Sequence, residues 1–120
     1  MQTFREFVEQ INHKQVDEVL NRFLPFAQEY LKLKQLPPVH TISGKESKEL
    51  KSFGCYDGHS IKLNTDGRHP MDVMRTLAHE LVHHAKGHTD GSDGSDHENE
   101  ANAVAGVIMR KFAKSNPDLF

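Results

Sequence analysis

Residues 70–87, PMDVMRTLAHELVHHAKG, constrain this chain more than any other stretch. Pro70 suits the first position of a helix, where its missing N–H is no loss. Gly87 suits the residue just past a helix end. Between them, Leu77, Ala78, Leu81 and Ala85 form an apolar stripe at about 100° per residue. Such a stripe has to be buried, so a helix over 70–87 calls for a second layer, and a sheet can supply it. His79 and His83, four residues apart, lie nearly opposite the stripe, with their rings on one face about one turn apart.

The rest of the chain supplies that layer. With 120 residues it fits one domain, and a chain of this length buries roughly two-thirds of its unfolded surface. Thr3 and Glu6 fit a capping box, and Phe4, Phe7, Val8 and Ile11 follow at helical spacing. A second helical pattern runs through Val16, Val19, Leu20, Phe23 and Leu24; Pro25 either kinks it or opens a new helix. These N-terminal helices are expected within 1–36, where "LPP" ends them. A sheet region is expected over 38–64. "VHTIS" is β-prone, and "KSFGCY" and "HSIKLN" flank Asp57-Gly58, a two-residue hairpin signal. Gly54 weakens the first hairpin strand and reads as a bulge. After the 70–87 helix, residues 88–96 read as a mobile acidic loop, and a last helix is expected over 96–114. The expected fold class is α+β: a single domain with a small, mostly antiparallel sheet packed on the 70–87 helix.

Composition narrows the function. A formal net charge of −2 gives no case for a nucleic-acid or anionic-membrane partner. No signal peptide is expected from "MQTFREFVEQ", and no apolar run approaches the roughly 18 residues that span a bilayer. Cys55 is the only cysteine, so neither an intrachain disulfide nor a cysteine-rich zinc site is available. A cytoplasmic setting is the expectation.

The pentad His79-Glu80-Leu81-Val82-His83 is the H-E-x-x-H pattern, with two imidazole ligands for one zinc ion and a glutamate beside them as general base. A catalytic zinc needs a third protein ligand. Gly87 and His88 miss the metzincin extension by one place each. The next candidates lie in "DHENEANAVAGVIM" (96–109), whose inward stripe is Ala101, Val104, Ala105, Ile108 and Phe112. On the helical wheel Glu98 and His97 both fall near that stripe and Glu100 falls away from it, so spacing leaves Glu98 and His97 open. "SDHE" (95–98) also fits a capping box, with Ser95 as the cap.

"HELVH" followed by "ENEAN" resembles the gluzincin arrangement, in which a second helix carries a glutamate ligand in an E-x-x-A/S-N/D setting. It is similar to the small peptidases of the ImmA/IrrE type, whose second motif resembles E-x-x-A-N-x-F-A. Here the matching residues are Glu98, Ala101, Asn102 and Ala105, with Val104 where that family has phenylalanine. Small phage-encoded zincin-like proteins are also similar across "TLAHELVHH" and "ENEANAVAGVIMR". The resemblance covers about residues 52–112. It implies a zincin-like fold and a zinc metallopeptidase holding one Zn2+ ion on His79, His83 and Glu98. It further implies Glu80 as the base, Asn102 as a residue fixing a ligand histidine, and a peptide or protein as substrate.

Two rival functions remain: a catalytically silent zinc-binding interaction module, and a SprT-like protease acting on DNA-bound proteins, which His97 as ligand would favour. His84 reads as a surface or packing residue and His88 as a loop residue; His13, His40, His59 and His69 show no partner spacing. Tyr56 reads as strand packing rather than an oxyanion donor. Asp90, Asp93 and Asp96 miss the EF-hand spacing. Lys45, Lys48, Lys51 and Lys62 read as a solvated edge.

Overall fold

In chain order the elements are α1 (Phe4–Leu31), β1 (Val39–Ile42), α2 (Gly44–Leu50), β2 (Gly54–Tyr56), β3 (Ile61–Asn64), α3 (Pro70–Lys86) and α4 (Gly94–Ser115), followed by a 3₁₀ turn at Pro117–Leu119. The computed structural model describes the backbone of residues 4–87 and 94–119 and the side chains of residues 16–87 and 97–118. The expected capping box at Thr3 and the apolar positions 4–11 fall outside the described side chains, as do His88, Asp90, Asp93 and Asp96. The result is a small α+β domain, as expected.

α3 forms because both of its ends are capped. His69 Nδ1 accepts from the Met71 N–H at 3.1 Å, and Pro70 follows at the first helical position. At the other end Gly87 takes φ 73°, and its N–H caps the carbonyls of His83 and His84. The helix is the hub of the molecule: α1, α4, β2 and β3 all pack on it. Its cover is therefore wider than one stripe. Leu77, Ala78 and Leu81 are fully buried, but so are Val73, Met74 and Val82, while Ala85 is only half-buried.

α1 runs unbroken through Pro25, so the N-terminal region holds one long helix rather than two. It buries Val16, Val19, Phe23 and Ala27. α4 answers with Ala101, Ala105, Ile108, Met109 and Phe112. The Phe112 ring meets Phe23 and Phe26 edge-on, at centroid distances of 5.2 and 5.4 Å. Truncating so enclosed a ring costs roughly 3–5 kcal/mol.

The sheet order is β1-β3-β2, and the sheet is mixed. β2 and β3 form the expected antiparallel hairpin, but β1 runs parallel to β3, pairing from Val39↔Ile61 to Ile42↔Asn64. The expectation of a mostly antiparallel sheet fails because α2 intervenes and turns the chain. Ser43 caps α2 through the Glu46 N–H, and Gly44 N–H binds Asp66 Oδ2 at 2.9 Å. α2 has a single buried residue, Ser47, so it carries no apolar period to betray it.

The hairpin turn sits one residue later than read. Asp57 N–H bonds to Ser60 O, so Gly58 and His59 are the central residues, with Gly58 alone at positive φ (94°). Asp57 instead accepts the N–H groups of His59 and Ser60 at 2.8 and 2.7 Å. Gly54 is no bulge either, since its strand pairs in unbroken register. Among the described residues no helix is long and apolar enough to cross a membrane.

Candidate metal centre

α3 and α4 are packed against one another, and their contact brings three ligand atoms together. His79 Nε2 and His83 Nε2 lie 3.0 Å apart. The Glu98 carboxylate straddles them, one oxygen 2.8 Å from His79 Nε2 and the other 3.2 Å from His83 Nε2. The group can hold a metal ion. Tetrahedral zinc, with bonds of roughly 2.0–2.1 Å to nitrogen and oxygen, spaces its ligand atoms about 3.3 Å apart, close to these separations.

The chemistry of the donors fits as well. Asn102, one turn beyond Glu98, turns its Oδ1 to His79 Nδ1 at 2.8 Å. An amide oxygen accepts, so Nδ1 carries the proton and a neutral His79 presents a bare Nε2 lone pair. That lone pair faces a carboxylate oxygen. Two acceptors this close share either a proton or a metal ion.

Access to the group is lopsided. The His83 side chain is 1% exposed and that of His79 17%, whereas Glu98 is 48% exposed. Rather than looking into an open cleft opposite the apolar stripe, His83 is buried, and among the described residues the group is exposed on the His79 and Glu98 side.

Glu80 is 4% exposed and lines a cleft of about 260 Å³ together with His79, Asn102, Thr76, Arg75 and the segment Ser52–Gly54. The close approach of β2 to α3 depends on Gly54. A Cβ there would meet Thr76 Cγ2 at 2.6 Å and the Lys62 carbonyl at 3.2 Å, with Glu80 Cγ 3.7 Å away. Thr76 cannot yield freely, because its hydroxyl is bonded to Asp72 O and to Arg68. Gly54 thus sets the wall that faces Glu80.

Of the four residues singled out in the sequence, His79, His83 and Glu98 come together in one group, and Glu80 lines the cleft that His79 borders. Among the described residues His97 is not part of the metal-competent group. Both Glu98 oxygens point at imidazoles, while the Ser95 side chain of the capping-box reading lies outside the described residues. His84 packs edge-on against Tyr56 and binds its hydroxyl through Nδ1 at 2.8 Å, tying α3 to β2. Burial, then the charge of Asp57, raises the Tyr56 phenol above its ordinary pKa, so it stays neutral. His69 proves to be a helix cap. What the sequence reading missed is the rest of the cleft's lining: Ser52 and Phe53 on the sheet side, and Arg75 and Thr76 on α3. Arg75 had a readable signal, standing one turn before His79 on the same helix.

No family model matches the chain, and neither the curated proteins nor the solved structures give a match.

Proposed function

We propose that this protein is a zinc-dependent metallopeptidase of the gluzincin type. The observation that carries the reading is the convergence of His79, His83 and Glu98 on one point, with Glu80 lining the cleft that His79 borders. Two imidazoles and a carboxylate suit zinc. Bound there, zinc supplies a Lewis acid that makes water acidic near neutral pH and polarises a carbonyl.

The chain's own residues do the rest. Asn102 holds His79 in the tautomer that offers Nε2. Glu80 accepts a proton from the attacking water and returns it to the leaving amine. β2 is an edge strand beside the cleft, and an extended peptide can add to it through main-chain hydrogen bonds. The single cysteine, Cys55, suits a reducing, cytoplasmic setting.

The test is hydrolysis of a denatured generic protein by the zinc-loaded chain. Cleavage should vanish with chelator. Glu80→Gln should lower it roughly 10²- to 10⁴-fold while metal content stays unchanged. Bound zinc without any cleavage would instead favour a silent interaction module. The SprT-like reading leaned on His97 as ligand, whereas among the described residues the group that could hold a metal ion is His79, His83 and Glu98.

A further inference from the structure

The cleft has a second wall, on the sheet side, that the hydrolytic chemistry does not use. Phe53 is 59% exposed, the most exposed large apolar side chain among the described residues. It is nevertheless held in place. The Arg68 guanidinium stacks on the ring, its carbon 4.3 Å from the centroid. Arg68 is itself fixed by hydrogen bonds to Asn64 O (3.1 Å), Asp72 O (3.0 Å) and Thr76 Oγ1 (2.8 Å). An apolar ring kept in water and pinned there is a pre-organised contact surface.

Phe53 borders two cavities. One is the cleft with His79 and Glu80; the other, about 240 Å³, is lined by Ser47, Lys48, Lys51 and Ser52. Cations flank the ring on both sides: Lys48 and Lys51 on one, Arg75 on the other. All three are exposed, and no described carboxylate pairs with any of them. Arg75 stands one turn before His79, so a group held by it lies about 5–6 Å along α3 from a ligand histidine. An extended peptide covers that distance in about two residues.

We propose that this wall is a recognition subsite for acidic peptides. A large apolar or aromatic side chain packs on Phe53, and a carboxylate one or two residues from the scissile bond pairs with Arg75. Lys48 and Lys51 receive further acidic groups beyond the ring. The carboxylate belongs either to an acidic side chain or to the peptide's own C-terminus, which present the same chemistry. The proposal rests on the peptidase reading.

Its test reads binding without turnover, using the full-length zinc-loaded chain carrying Glu80→Gln. Fluorescent peptides of one length place Phe before Glu, Gln or Lys, each with a free and an amidated C-terminus. The Glu peptide should bind roughly 5- to 10-fold tighter than the Gln peptide by anisotropy, and the Lys peptide weakest. The advantage should shrink at high salt. Arg75→Glu should reverse the order, and Phe53→Ser should weaken all peptides. Free-acid Glu and Gln peptides that bind alike, and that both weaken on amidation, would assign the carboxylate to the C-terminus; a Glu advantage that persists on amidation assigns it to the side chain.

Equal affinities for all peptides overturn the proposal, as does an order unchanged by Arg75→Glu. Tighter binding of a single-stranded oligonucleotide than of any peptide also overturns it, since cations around an aromatic ring serve stacked bases equally well. Wild-type cleavage with no charge preference leaves the peptidase reading standing without the subsite. Charge-selective binding with no wild-type cleavage leaves the subsite standing without the peptidase. Absence of both removes both.

Discussion

The two walls of the cleft are built by different physics. On the α3–α4 wall, positions are set by helical period: His79 and His83 are one turn apart, and Asn102 is one turn beyond Glu98. A single packing contact between two helices then completes the group. On the sheet wall nothing is local. Phe53 and Gly54 reach the cleft only because β2 pairs with β3 and because Gly54 has no side chain to hold α3 away. A wall made by period tolerates change except at its few ligands. A wall made by close approach is sensitive to a single added methyl group.

Substitutions can set the two walls against each other. The largest effect is expected on the helical wall: Glu98→Ala should weaken zinc binding by more than about 100-fold, beyond the range for residues that merely support a ligand. Asn102→Ala should weaken it by roughly 10- to 100-fold, because His79 loses the bond that fixes its tautomer. Zinc titration against a competing chelator reads both. If Glu98→Ala kept full affinity, the bridge between α3 and α4 would not be a ligand contact.

Gly54→Ala should act on the other wall. Its Cβ would press on Thr76 and the Lys62 carbonyl, costing about 1–3 kcal/mol in denaturant unfolding. Peptide cleavage should fall while zinc affinity stays near wild type. Zinc affinity falling in step with cleavage would mean the walls are not separable.

The smallest effect belongs to the turn. The backbone N–H groups of Ser60, then of His59, hold the Asp57 carboxyl below its usual pKa. Its charged form is therefore favoured by folding, a stabilisation present above the unfolded carboxylate pKa and lost as pH falls through the lower folded one. Asp57→Ala should lower Tm slightly near neutral pH, and the gap should close on acidification below about pH 4. A gap independent of pH would show that the turn does not use the carboxylate charge.

The sequence made the helical wall readable because the period ties residue number to direction. The fold class, the 70–87 helix with its Pro70 and Gly87 ends, and the inward stripe of α4 all follow from it. Direction alone could not separate Glu98 from His97, since both lie near that stripe; only the packing of α4 on α3 brings the Glu98 carboxylate beside both imidazoles. The rest was hidden for identifiable reasons. α2 is short and polar, so no apolar period marks it. The parallel pairing of β1 with β3 is a long-range event with no signature in either strand. Pro25 looked like a break, yet α1 continues through it. Asp57-Gly58 announced the hairpin but not which residues form its centre. Phe53 gave no sign of being exposed, because its surroundings come from Arg68, fifteen residues onward.

On the proposed function, α3 and α4 jointly grip one cation. Anomalous diffraction at the zinc edge from a zinc-loaded crystal tests it most directly. The account predicts one strong peak within bonding distance of His79 Nε2, His83 Nε2 and a Glu98 oxygen. A peak held by His97 in place of Glu98, or imidazoles turned to solvent with no peak between them, would contradict it.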